Sequence, residues 1–316
     1  AALEIAVKSL NLKKNDEVIM PAFTIISNAI AIIKNQAKPV LVDSDIETWN
    51  IKIEDIEKKI NKKTKALMIP HIYGFPCDMD KITKLCKKYK LYLIEDAAEM
   101  IGQNYKGKPC GSFGDISTFS FYANKHITTG EGGMIFTNNF KLHNKFRLLK
   151  NLNFGTKERF NHSEISWNYR LTNMQASLGL SQFKRIKNII KKKRFIGNFY
   201  YNKFKNNNKI LVQKNKLNYA RNIYWIFGII LKDKSKNFRK NFQKKLLTRK
   251  IETRPFFYPM HKQDIFIKKG YFKNEKYPCS EFLSSNGFYI PSGLNLTTKQ
   301  LEYVANTINK LLTNKF

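Results

Sequence analysis

Acidic residues are scarce in this sequence. Twenty-four Asp and Glu stand against 57 Lys and Arg, a formal net charge of +33 over 316 residues. Arginine is scarcer still: nine of the basic residues are Arg and the rest are Lys, spread along the chain among Asn and Ile. A surface that reads nucleic acid concentrates its charge and favours the planar fork of Arg. Scattered lysines describe a solvated cationic surface instead, so no nucleic-acid partner is expected; a basic nucleic-acid-binding protein is the non-enzyme alternative. Cysteine is limited to Cys77, Cys86, Cys110 and Cys279, with no C-x-x-C pair and no His at ligand spacing. That excludes a disulfide framework and a zinc module and points to free thiols in a reducing compartment. No pair among the five His has metal-ligand spacing, so no metal is expected. No apolar run reaches the roughly 18 residues of a membrane span, and no signal peptide opens the chain. A cytoplasmic protein with no membrane partner is therefore expected. A G-x-S-x-G elbow is absent, and Gly130-Glu-Gly-Gly133 is neither a Rossmann nor a P-loop fingerprint.

Hydrophobic residues, by contrast, make up 42% of the chain and include 24 Phe and 15 Tyr. That suffices for two domains, or for one large α/β domain with a smaller lobe. Residues 1–12 have helical spacing from the first position, with neither an initiator Met nor an N-cap residue, so the reading places the start of the chain inside or just before its first helix. Strands are predicted at Glu17–Met20, Pro39–Asp43, Lys65–Pro70, Leu91–Ile94, Ile116–Tyr122 and Met134–Thr137. Helices are predicted after Thr24, read as a possible cap, and over Asp78–Tyr89. Continuous apolar strands alternating with helices predict a mainly parallel sheet covered on both faces. A long helical stretch from Thr172 to about Phe204 leads to a second lobe. In that lobe Tyr224–Leu231 and Ile251–Phe257 read as strands, Asn237–Leu247 and Leu301–Leu312 as helices, and Lys203–Lys214 as an exposed loop. The predicted division is a large domain over 1–185, shortened at its N-terminus, and a connecting helix with a small α+β lobe over 186–316.

In a parallel sheet, ligands sit beyond the carboxyl ends of the strands. The Leu91–Ile94 strand delivers Asp96 and Glu99 there, and the next strand runs through Ser120 to Lys125 and a glycine-rich turn. A lysine between a hydrophobic strand and such a turn can lose water and become a reactive amine. Asp96 caps a following helix or pairs with a pyridine nitrogen; Ser120 fills a strand position or binds a phosphate. A lysine able to form a Schiff base, a carboxylate for a ring nitrogen and small residues for a phosphate are what pyridoxal 5'-phosphate (PLP) requires. His71 and His261, each taken alone, read as packed histidines.

His71-x-Tyr-Gly-x-Pro-x-Asp-Met-Asp80, Glu95-Asp-Ala-Ala-Glu99, Gly111-Ser-Phe-Gly-Asp115, Thr118-Phe-Ser-Phe-x-x-Asn-Lys125, Ile127-Thr-Thr-Gly-Glu-Gly-Gly-Met134, Asn168-Tyr-Arg-Leu-Thr-Asn-Met-Gln-Ala176 and Ile251-Glu-Thr-Arg-Pro255 together resemble the DegT/DnrJ/StrS family of PLP-dependent nucleotide-sugar aminotransferases. The resemblance runs nearly end to end. It implies a fold-type I α/β architecture and transfer of an amino group from L-glutamate to C4 of a nucleotide-linked 4-keto-6-deoxy sugar for surface polysaccharide. It implies that Lys125 is the catalytic lysine, that Asp96 binds the pyridinium nitrogen, and that Glu99 meets the ring hydroxyl. Ser120 would bind the phosphate, and Asn168 would reach the phosphate of a neighbouring subunit in a homodimer with shared sites. Thr24 and Ile25 would flank the cofactor; His71, Tyr73, Arg254 and His261 would lie toward the nucleotide-sugar. Relatives carry Gly-Thr before the Ala-Ala-Leu that opens this sequence, and often an aromatic ring at the position of Ile25. The first departure implies weakened or lost PLP binding; the second implies aliphatic packing in place of stacking, at reduced specificity. A different nucleotide-linked keto-sugar, or an inactive shortened remnant, are the alternatives within the family.

Overall fold

Strand residues Val18, Ile19, Met20, Leu67, Met68 and Ile94 are all withdrawn from water, so their sheet needs cover on both faces. The computed structural model describes every residue except 156, 157, 159, 234, 236 and 314–316. In chain order it contains α1 (Ala2–Ser9), β1 (Glu17–Pro21), α2 (Ile26–Lys34), β2 (Lys38–Val42), α3 (Ile53–Ile56), β3 (Thr64–Pro70), α4 (Met79–Tyr89), β4 (Tyr92–Asp96), a small hairpin β5 (Asn104–Tyr105) and β6 (Lys108–Pro109), β7 (Ile116–Ser120), β8 (Gly133–Phe136) and α5 (Phe140–Leu149). There follow α6 (Asn173–Phe183), α7 (Ile186–Phe204), β9 (Ile210–Val212), β10 (Phe227–Leu231), α8 (Phe238–Leu247), β11 (Arg254–Pro255), α9 (Asp264–Lys268), α10 (Pro278–Asn286), β12 (Gly287–Ile290) and α11 (Thr298–Thr313). No helix among the described residues is long and apolar enough to cross a membrane.

The large sheet has the order β2-β1-β3-β4-β7-β8. Its pairings are parallel except that β8 returns antiparallel to β7. The pleat sends alternate residues to opposite faces. Val18, Met20, Met68 and Ile94 join α1, α2 and α5 on one side; Ile19, Leu67, Ile69 and Leu93 join α4 on the other. Met260, Phe266, Phe272 and Tyr277, from far along the chain, also pack on the first side. The second sheet, β11-β12-β10-β9, is antiparallel and is covered by α7, α8 and α11.

Two features tie the sheets together. Asp43, just beyond β2, accepts from the Cys279 and Ser280 backbone N–H groups at 3.0 and 2.8 Å and so caps α10. Gly74 has φ +103°, and a Cβ placed there would lie 2.7 Å from the backbone nitrogens of Tyr224 and Trp225. Only a residue without a side chain lets the loop after β3 run this close to the chain entering β10.

The strand at Ile251–Phe257 is confined to Arg254–Pro255, and that at Tyr224–Leu231 starts at Phe227. Tyr224 is left-handed, at φ +54°. The Thr172–Phe204 stretch is two helices with a break at Lys184–Arg185. The expected exposed loop at Lys203–Lys214 contains β9, with Ile210 buried against β10. Thr24 does not cap α2: the N-cap position is Ile25, with no side-chain bond, and Thr24 is buried. Helix α5, capped by Asn139, was not anticipated, because two of its five apolar residues, Phe140 and Leu148, face outward.

Candidate functional site

Glu95 and Asp96 are adjacent on β4 and point to opposite faces. Glu95 is fully buried and takes the backbone N–H groups of Gly111, Phe113 and Gly114 at 2.5, 2.8 and 3.1 Å. It also meets His71 Nε2 at 3.0 Å. His71 Nδ1 accepts from the Cys77 N–H at 3.1 Å, which leaves the ring proton on Nε2, donated to Glu95. Glu95 therefore folds the Gly111–Asp115 turn, and His71 has no ring nitrogen left for a ligand. That corrects its expected substrate-binding role: it shares the cavity wall but contributes no free donor.

Asp96 faces the other way, into a cavity of about 660 Å³ that Glu99, Ser120, Lys125, Thr24, Ile25 and Tyr73 also line. Its bonds run through Oδ1, from Ala98 N at 3.1 Å and Thr118 Oγ1 at 3.4 Å. Burial raises its pKa, against the pull of the Ala98 N–H, Lys125 and Asn28. Asn28, fully buried beside it, reaches Asp96 only loosely, and neither of its side-chain atoms makes a hydrogen bond of good geometry.

Lys125 follows β7 by a turn closed by its own N–H to Tyr122 O at 3.0 Å, and Gly130 at φ +78° lets the loop fold back toward β8. Its side chain is 11% exposed, with Nζ 3.9 Å from Glu99 Oε1 and 3.9 Å from the centre of the Trp225 ring. Trp225 is fixed by its indole N–H to Asn124 O at 2.9 Å. Burial lowers the pKa of Lys125, against Glu99 and Asp96. Burial pushes Glu99 up to about 7, against Lys125 and the Tyr73 N–H, which it accepts at 2.6 Å. In a low-dielectric pocket, acid and amine are thus both drawn toward their neutral forms.

The remaining expected residues divide. Tyr73 is buried, its hydroxyl accepting from Phe257 N at 3.0 Å and its ring walling the cavity. Arg254 is exposed at the rim, opposite Tyr289 in the β11–β12 register. Ser120 and Asn168 lie together on an adjoining groove of about 850 Å³, with Ala1, Ala2 and Gly133. His261 is not brought to the cavity. Its Nε2 meets Glu281 at 2.8 Å and its ring packs on Tyr277, because Met260 anchors this segment in the core of the large sheet. Trp225 and Asn28 escaped sequence reasoning: neither sits in a chemical motif, and only the fold carries them to Lys125 and Asp96.

These residues fit PLP. A buried carboxylate suits a ring nitrogen, a lysine stands beside a second acid, and Ser120 shares its groove with the N-terminal turn of α1, whose free N–H groups favour an anion. Among the described residues no group of His, Cys, Asp and Glu could hold a metal ion.

The profile of the DegT/DnrJ/EryC1/StrS aminotransferase family matches residues 1–309. GDP-perosamine synthase of Escherichia coli O157:H7 is 40% identical over 315 residues, covering 99% of this chain and 84% of the relative. The GDP-perosamine synthase of Vibrio cholerae is 38% identical, covering 97% and 83%. Among solved structures, Spr1654 of Streptococcus pneumoniae in its PLP form superposes with a TM-score of 0.92 at 23% identity, over 98% of this chain and 84% of that one; at that identity the likeness speaks for the fold.

Proposed function

This chain belongs to the DegT/DnrJ/EryC1/StrS aminotransferase family, PLP-dependent sugar aminotransferases, and on that premise we propose that it moves an amino group from L-glutamate to C4 of a nucleotide-linked 4-keto-6-deoxy sugar, as a GDP-perosamine synthase. The observation that carries this reading is the placing of Lys125, Glu99 and Asp96 around one cavity. The product would serve surface polysaccharide, including O-antigen and lipopolysaccharide, and the enzyme would act in the cytoplasm. Residues 1–185 would form the cofactor-binding domain and 186–316 the connecting helix and small domain.

Bound PLP supplies an electron sink for the carbanion formed where the amino group enters or leaves. Asp96 would hold its ring nitrogen and keep that nitrogen protonated; Glu99 would face the ring hydroxyl; Ser120 and the N-terminal turn of α1 would take the phosphate, with Thr24 and Ile25 flanking. Lys125 Nζ takes a proton from one carbon and returns it to another nearby, so one amine serves both half-reactions. Burial lowers its pKa below the ordinary lysine value, which shifts it toward the neutral, accepting form. Trp225 excludes water from one side of that amine and orients it.

A homodimer is supported by α6, which has no buried residue and exposes Met174, Leu178 and Phe183, with Ile165 nearby in sequence 92% exposed. Apolar surface of this extent marks an interface. Asn168 would then complete a phosphate site shared between subunits.

The test is the purified protein with PLP, glutamate and a panel of nucleotide-linked 4-keto-6-deoxy sugars, with products read by mass spectrometry. A mass gain matching amination, lost in Lys125→Ala, is expected. Retained PLP and glutamate turnover with no sugar aminated would sink the sugar reading.

A further inference from the structure

Lys193 is a buried cation without a counter-ion. It lies on α7 at the position that continues the inward face through Ile196, Gly197, Tyr200 and Phe204, and it is 7% exposed. Nζ donates to the Ser292 carbonyl at 2.9 Å and reaches Ser292 Oγ at 3.4 Å. No carboxylate pairs with it among the described residues, although burying an unpaired charge is expensive. The group lines a cavity of about 530 Å³, bounded farther out by Ser292–Asn295. This cavity meets the Asp96–Glu99 cavity at Asn124, Lys125, Trp225, Arg254 and Tyr289. Arg254 joins Lys193 and Lys125 as a third basic group, and among the described residues Glu252, exposed, is the one acid on the wall. His126, also on the wall and buried, keeps an unpartnered Nε2. Burial, then Lys193 and Lys125, push its pKa down to about 3, so it is neutral and adds no charge to the wall.

We propose that this second cavity is the seat of the substrate's diphosphate, held by Lys193 from below and Arg254 from the rim, with the sugar extending past Trp225 to Lys125. The inference rests on the reading that the substrate is a nucleotide-linked sugar. A diphosphate supplies what the cavity lacks: anionic oxygens able to use the remaining donors of Lys193 and the planar fork of Arg254. The carboxylate of glutamate is the competing anion. Its short chain would leave the Ser292–Asn295 end of a cavity this size unfilled, which favours the longer ligand.

Calorimetric binding of GDP, guanosine and inorganic pyrophosphate to the PLP-loaded protein, followed by kinetics of both half-reactions, decides it. In the wild type, GDP and pyrophosphate should bind and guanosine should bind far more weakly. Lys193→Met and, independently of any folding defect in that variant, the surface change Arg254→Gln should each weaken GDP binding by roughly 10- to 100-fold, the range for hydrogen bonds to charged groups. The sugar-nucleotide KM should rise in step, and by a larger factor than the KM for glutamate in conversion of the cofactor. Unaltered GDP binding in both variants overturns the assignment, as does a raised glutamate KM with sugar-nucleotide KM unmoved. Wild-type protein that processes glutamate but neither binds GDP nor aminates any sugar nucleotide overturns the underlying substrate reading instead.

Discussion

Two lysines withdrawn from water line the cavity beside Trp225, and their surroundings differ in sign. Lys125 faces two carboxylates, Glu99 and Asp96, whose attraction opposes the loss of its proton. Lys193 faces none, and burial alone pulls its pKa down to about 7. The same side chain is thus set up for different work. Lys125 can gain and lose a proton against nearby acids, whereas Lys193 is a charge that the protein leaves for a ligand to neutralise. Desolvation brings both toward neutrality, and the partner decides which of them is a base and which an anchor.

The comparison breaks most sharply at Lys125. Lys125→Ala should lower amination by at least about 10³-fold, within the range for a positioned acid–base group, with the circular-dichroism spectrum unchanged. Retention of turnover would make the two lysines equivalent. Asp96→Asn should lower it by roughly 10²- to 10³-fold, with a shifted absorbance of bound PLP. A normal spectrum would detach Asp96 from the cofactor.

A smaller effect tests Lys193 without any substrate. The folded-state pKa of this lysine is below its unfolded value of 10.5. Between pH 7 and 10.5 the unfolded chain therefore binds the extra proton, and stability rises with pH across that window. Below pH 7 the full penalty of the buried charge is present. Lys193→Met should thus gain most in Tm relative to wild type near pH 6, by a few degrees, and the gain should shrink toward pH 9. His126, neutral throughout, does not confuse the result. A pH-independent difference would mean that Lys193 carries no unpaired charge. The smallest effect belongs to Trp225→Leu. Loss of a cation–π contact of about 1 kcal/mol should move the acid limb of the rate profile to lower pH, because the ring favours the charged amine that it covers and the reaction needs the neutral one. No movement of that limb would remove the ring from the account of Lys125.

Much of this was legible in the sequence. The alternation of apolar strands with helices gave the large sheet, and the strand-end acids with Ser120 and Lys125 fall on one cavity because parallel strands deliver their C-terminal ends to the same edge. What was hidden depended on pairings between distant segments. His71 looked available until Glu95 and the Cys77 N–H claimed its two nitrogens. His261 looked close in sequence to Arg254, yet Met260 pulls it into another layer. Lys193 lies inside the run Lys191–Arg194, where neighbouring cations mask it; its helical phase with Ile196, Tyr200 and Phe204 is the sign in the sequence that it points inward. Lys184–Arg185 was invisible as a break because no Gly or Pro marks it.

Gly74 bears on how a substrate could enter. With the loop after β3 lying against the backbone at Tyr224 and Trp225, and the Ile223 N–H bonded to Gly74 O at 3.0 Å, the two sheets are spliced at the mouth of the active centre rather than hinged there. Traffic through that mouth falls to swinging rim side chains such as Arg254. A methyl group added at position 74 would pry the splice open and tilt the indole off the amine it covers.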